Sequence, residues 1–502
     1  MNLRRSISLL LAVAIASTCV AHVGSPNVYF QGEAGPYHLV VMVRTPQMIP
    51  GVAEIEVRSD KPGIRNLKIT PLIIIGEGSK YPPPPDVLEP VKGDPQFFAG
   101  KIWLMESGSW QVRIEADGDQ GSGTIAVPVP AAARNTLPMQ KELGALLFGL
   151  MILLVAAIVS IIGAARREAQ LEPGEQPSPR QRRGARLVML GALVAVIVIL
   201  TLGRWWWTDA AAAKASTMIY QAPTMQVSLT PDDKMELRIG ESNWHIRRPE
   251  TVMTALIPDH GHLMHLFLIR TLQMDKFYHL HPEQTDQQSF TDNLPSIAPG
   301  HYKIFADIVR ASGFPDTMVA DADIPEMAGK SFTGDDSEAS APALSENGQD
   351  NLVAALPDGG RMVWERDSTP LASNRLLWFR FRVDDAKGKP ASDLEPYMGM
   401  AAHAVFVGSD FSVFAHVHPD GSVPMAALTL ADASLGASQN SPAASMAGMG
   451  MPGVTMPSAA HDPLPAEVSF PYGFPKPGVY RIFVQVKRRG SVETGVFDAH
   501  VN

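Results

Sequence analysis

Cysteine is almost missing from this sequence: there is one in 502 residues, Cys19, and it falls in the first, leader-like stretch. No disulfide framework can be drawn, so an exported chain of this length must be held by packing or by metal. A positive charge excess is missing too. The formal net charge is -9, which gives a nucleic-acid partner no electrostatic support. No nucleophile–base–orienter set, glycine-rich phosphate loop or carboxylate pair stands out, so catalysis is not expected. Sustained helical periodicity is absent outside the apolar runs, and those runs set the organisation.

The opening MNLRRSISLLLAVAIASTCVA has two arginines, an apolar centre and small residues at its end, the layout of a secretory signal. Ala16, Ser17 and Thr18 fit a lipoprotein box poorly, so cleavage after Ala21 is expected, leaving a chain that begins at His22. Two further runs, 143–165 and 187–207, suit membrane helices, since the hydrocarbon layer needs ~20 apolar residues. Trp205, Trp206 and Trp207 close the second as an interfacial anchor. Buried helices of a soluble protein are the alternative, and uncharged runs of this length disfavour it. The loop 166–186 carries Arg166, Arg167, Arg180, Arg182, Arg183 and Arg186. The positive-inside rule places it in the cytoplasm. Both flanking segments then lie in the periplasm or outside the cell, and the expected partner is the lipid bilayer of a bacterial inner membrane.

Outside the membrane runs, 22–138 and the chain beyond about 210 show short alternating stretches such as AEIEVRS and WQVRIEA, punctuated by Gly, Pro, Asp and Asn. That pattern predicts antiparallel β-structure. A polar, acidic segment, 330–350, reads as a linker. The pieces on either side of it, 216–329 and 351–502, repeat one another. HLFLIR, FYHLHP and PGHYKIFADIVR come before the linker; HAVFVG, FAHVHP and PGVYRIFVQVKR come after it. The expected fold is mainly β: three immunoglobulin-like β-sandwich domains plus two transmembrane helices.

The repeat carries histidines. Residues i and i+2 of a strand share a face, about 6.6 Å apart, so His279 with His281, and His416 with His418, can converge on one ion. His265 and His403 open the preceding strands, and a hairpin could bring each to its pair. Three neutral imidazoles make a first shell for copper, with zinc as the alternative. The plainer reading leaves them as hydrogen-bonded core residues. Near them lie His260, His262 and Met264 in the first repeat, and Met398 and Met400 in the second. From the H-x-H-P strand to the next Pro-Gly, the second repeat is roughly 40 residues longer. The added stretch carries Met446, Met449, Met451, Met456 and His461, and soft thioethers favour Cu(I). At a mature amino terminus, the amine and imidazole of His22 could chelate Cu(II), with His38 the nearest candidate to complete a histidine brace. A copper oxidase built on that brace is the enzymatic alternative.

The pair HLFLIR/FYHLHP and HAVFVG/FAHVHP, each closed by a PGxYxIF hairpin, resembles exported bacterial β-sandwich domains of the YtkA-like and FixH-like kind. The resemblance covers most of 216–330 and 350–502, and 22–130 more loosely. It implies an immunoglobulin-like fold and copper handling, with His265, His279, His281, His403, His416 and His418 as the residues concerned. A chain beginning at His22 is similar to CopC-like periplasmic copper carriers. The helix pair departs from simple soluble carriers. Two readings result: a membrane-anchored periplasmic metal-binding protein that exchanges copper with another copper-handling protein, or a structural scaffold of a membrane complex in which the histidines only pack. Whether neighbouring domains share an ion is left open by the sequence.

Overall fold

The computed structural model describes residues 27–172, 174–230, 232–246, 256–327, 329, 331–344, 350–436 and 464–502, and the backbone of 22–23. The chain is mainly β and divides into two compact units, Met1–Ala132 with Ala222–Asn502, and Ala133–Gln221.

The second unit is a helix pair, Lys141–Glu168 and Pro179–Met218. Both helices are long and apolar enough to cross a membrane. At ~1.5 Å per residue they measure about 42 and 60 Å. Arg166 and Arg167 sit in the last turn of the first helix, where positive charge complements the exposed carbonyls. The second begins in a capping box: Ser178 Oγ accepts from the Gln181 N–H at 3.3 Å, and Gln181 Oε1 accepts from the Ser178 N–H at 2.7 Å. It runs past the expected end at 207 because Ala210–Ala213, strong helix formers, follow the tryptophans. Leu146, Leu153, Ile161, Leu187 and Ile199 are exposed. Gly163 lets the helices close, since a Cβ there would meet Met189 Sδ at 2.5 Å.

Among the described residues the first unit holds five sheets. Residues 27–131 form an eight-stranded sheet, rolled so that its first strand lies against its last. Alternating patterns, as in Gly51–Ser59, turn Val41, Ile55, Ile69, Ile102, Ile114 and Val127 into one core. A four-stranded sheet built on Thr224–Leu229 and Lys234–Gly240 packs on a six-stranded one through Leu237, Leu266, Tyr278 and Ile304. The next pair of sheets encloses Trp364, Phe381, Phe406, Ile482 and Phe497. The stretch expected as a linker is not wholly one: Ser337–Ser340 forms an edge strand on Lys276–His279.

The repeat is visible strand by strand. His265–Arg270 lies between Lys276–Leu280 and Gly300–Arg310, and His403–Gly408 between Val413–Val417 and Gly478–Arg488. Phe267 pairs with His279 and Phe305; its counterpart Val405 pairs with His416 and Phe483. The two sheets meet face to face around Phe267, Phe277, Phe305, Val405, Phe414 and Phe483. Phe277 stacks on Phe483 at 4.2 Å and Phe305 on Phe414 at 4.2 Å. Phe277 is equivalent to Phe414, and Phe305 to Phe483. An approximate twofold therefore exchanges the two stacks.

Candidate metal centre

Strand periodicity places Phe277, His279 and the following His281 on one side, so the face that stacks phenylalanines at one end presents imidazoles at the other. The same holds for Phe414, His416 and His418. Among the described residues, eight histidines gather there. Within the repeats, the His279–His281 and His416–His418 ring centres are both 4.6 Å apart, and His265–His279 and His403–His416 both 5.4 Å. Across the twofold, His265 lies 5.3 Å and His279 5.8 Å from His416.

His260 and His262 come from a tight turn that precedes the first of these strands. Asp259 and His262 exchange backbone hydrogen bonds of 2.8 and 3.0 Å; in the second repeat Tyr397 and Met400 exchange bonds of 2.7 and 3.0 Å. Gly261 and Gly399 hold φ of 86° and 82°, while His260 and Met398 hold 52° and 50° in the left-handed region. His260 crosses to the other repeat, with Nδ1 2.9 Å from the Met398 carbonyl and Nε2 3.2 Å from His418 Nε2. His262 stacks on His281 at 3.9 Å and turns Nε2 to Asp335, 3.5 Å away.

Hydrogen-bond accounting exposes a conflict at the centre. A backbone carbonyl only accepts, so His260 Nδ1 must donate to Met398 O, and His418 Nδ1 must donate to Val423 O at 3.2 Å. Each neutral ring then keeps its lone pair on Nε2, and these two nitrogens face each other at 3.2 Å. His265 and His279 repeat the pattern. His265 Nε2 donates to Asp259 O at 3.1 Å, leaving a lone pair on Nδ1. His279 Nδ1 donates to Gln485 Oε1 at 2.9 Å, leaving one on Nε2, and these nitrogens are 3.1 Å apart. Gln485 is oriented by its amide, which donates to Ser337 Oγ at 2.5 Å. His281 Nδ1 donates to Asp336 at 2.9 Å, and its Nε2 is buried with no hydrogen-bond partner.

A proton could bridge the His265–His279 pair only by creating an imidazolium, and the burial of both rings opposes that. Burial pushes the imidazoles of His265, His279, His403, His416 and His418 well below the usual histidine range, and neighbouring histidines push the same way. A metal cation held between the facing nitrogens would resolve the conflict. Metal–nitrogen bonds of about 2.0–2.1 Å at tetrahedral angles separate ligand nitrogens by roughly 3.3 Å. Among the described residues, two triads have their ligand atoms within 4.8 Å of one another: His260 with His403 and His418, and His265 with His279 and His281. Carboxylate and carbonyl acceptors on the far ring nitrogens fix the tautomers, as metal-binding histidines require. His416 Nδ1 lies 3.7 Å from Asp307, whose carboxyl burial raises to about 7.

The six strand histidines expected from sequence thus meet in one cluster, with two turn histidines added. His38 pairs opposite Glu33 on Tyr37–Arg44, and among the described residues it joins no ligand group. The backbone of His22 pairs with Val413, but its side chain lies outside the described residues. Met446, Met449, Met451, Met456 and His461 also lie outside them. Sequence reasoning missed Gln485 and Asp307, each seven residues after the glycine of its Pro-Gly hairpin. That shared offset was the available signal. It also missed Asp336, inside the apparent linker.

The profile of a domain of unknown function (DUF8832) matches residues 221–322 and 355–502, the two repeats. No curated relative matches. Among solved structures, the chain is similar to a tetra-tandem repeat in the extending region of a large adhesion protein, at 7% identity, TM-score 0.16, covering 91% of this chain and 72% of that one. It is also similar to Salmonella alpha-2-macroglobulin reacted with methylamine, at 10% identity, TM-score 0.19, 97% and 24% coverage. For an ICAM-5 D1–D4 ectodomain fragment the values are 9%, 0.16, 93% and 77%.

Proposed function

We propose that this chain is a membrane-anchored periplasmic protein that captures a metal ion, copper before zinc, between its two repeats. The carrying observation is the pair of facing acceptor nitrogens on His260 and His418, 3.2 Å apart. Each is forced into that tautomer by a backbone carbonyl, so a shared cation satisfies both. The orphaned Nε2 of His281 supports the second triad in the same way. Histidine-only donor sets accept Cu(II), Cu(I) and Zn(II), and the divalent affinity order puts Cu(II) above Zn(II). In this reading the 27–131 region and the two repeats are three immunoglobulin-like β-sandwiches. The helix pair anchors them in the inner membrane with the arginine-rich loop in the cytoplasm, and the methionine-rich 437–463 segment exchanges Cu(I) with a copper-handling partner.

The test uses the full chain in detergent, stripped of metal and titrated with Cu(I), Cu(II) and Zn(II) against competing chelators. In the Zn(II) titration, wild type should bind two ions per chain. A chain carrying His281→Ala and His418→Ala should lose both sites while keeping its β-sheet circular dichroism. Equal binding by wild type and variant would remove the histidine cluster from the account.

A further inference from the structure

The approximate twofold makes a statement about the two triads that neither states alone. Several contacts of one repeat have their mirror in the other. Phe277 on Phe483 is matched by Phe414 on Phe305. His279 facing Gln485 is matched by His416 facing Asp307. The bonds His265 Nε2–Asp259 O and His403 Nε2–Tyr397 O, 3.1 and 3.2 Å, are matched as well. His260 reaches across to His418. The mate of His260 is Met398, on an identical turn with the same left-handed backbone, and the mate of His418 is His281. The mate of His262, which points its nitrogen to Asp335 and is outside both triads, is Met400.

We propose that Met398 crosses the twofold to complete the His265–His279–His281 site with its thioether, making the two sites chemically unequal. This rests on the metal reading of the cluster. One site is closed by an imidazole from the opposite turn, the other by a sulfur from the opposite turn. Thioether sulfur is soft and neutral, so the mixed site selects Cu(I), whereas the all-nitrogen site accepts Cu(II) or Zn(II). The backbone supports a specific demand for this residue. A left-handed conformation is uncommon for methionine, and Asn, Asp or Gly would satisfy the turn alone with less strain.

The test compares Met398→Leu with its parent, both in a full chain whose Met446, Met449, Met451 and Met456 are changed to Leu so that their thioethers do not bind. Leucine keeps size and removes the donor. Cu(I) affinity at one of two sites should fall about tenfold or more, and the sulfur scatterer should vanish from the copper X-ray absorption spectrum. Zn(II) affinity at the other site should stay within about twofold. His260→Ala should do the reverse, weakening the Zn(II) site and sparing Cu(I). Cu(I) binding by Met398→Leu equal to the parent, with no sulfur in the parent's spectrum, would overturn the proposal while leaving the histidine sites standing. A parent that binds no metal would defeat both.

Discussion

One interface between the repeats has two ends, built on the same strands and related by the same twofold, and they are chemically opposite. At one end Phe277, Phe483, Phe305 and Phe414 form two stacks at 4.2 Å with no polar atom to satisfy. At the other, the continuation of the same faces carries His279, His281, His416 and His418, with buried lone pairs facing each other. Packing two sheets needs only the first kind of surface. The second kind pays a desolvation penalty and leaves acceptors unmatched. The difference argues that the histidine end is kept for something other than cohesion.

Acid should separate the ends most strongly. Five imidazoles, those of His265, His279, His403, His416 and His418, have depressed values in the folded chain. The unfolded chain binds protons below the ordinary value near 6.5, while the folded chain resists, so stability is full above that pH and lost as pH falls through it. Each group that stays neutral contributes about 1.4 kcal/mol at pH 5.5, or up to about 7 kcal/mol for five. Denaturant titrations of the metal-free chain at pH 7.5 and 5.5 should show a loss of several kcal/mol.

The phenylalanine end should behave otherwise. Phe414→Ala leaves a cavity opposite Phe305 and is expected to cost about 3–5 kcal/mol. Denaturant titration should return the same loss at both pH values and with or without metal. A Phe414 penalty that depends on metal would mean that the ends are not independent.

Much of this architecture was legible in the sequence, for identifiable reasons. Period-two alternation and the echo of FYHLHP in FAHVHP gave the strands, the repeat and the shared face of each H-x-H pair. Two uncharged runs gave the helices, whose extra turns came from alanines beyond the tryptophans. What remained hidden was the relation between repeats. No pattern within either repeat says that Phe277 stacks on Phe483, or that His260 serves the other domain. Such contacts depend on docking two sheets, which is long-range packing rather than periodicity. Asp336 was hidden because its polar surroundings read as linker, although the strand that follows it pairs with the His279 strand.

The most direct test of the central claim makes the two ends alike. In the full chain with His279→Phe and His418→Phe, one ligand is removed from each triad, the histidine end becomes partly a phenylalanine end, and thermal unfolding is followed with and without Zn(II) or Cu(I). Wild type should gain about 2.7 kcal/mol for each occupied site at a metal concentration one hundred times the dissociation constant. The variant should match or exceed metal-free wild type in stability and gain nothing from metal. A variant less stable than metal-free wild type, with neither chain responding to metal, would contradict the account and leave the histidines as packing residues.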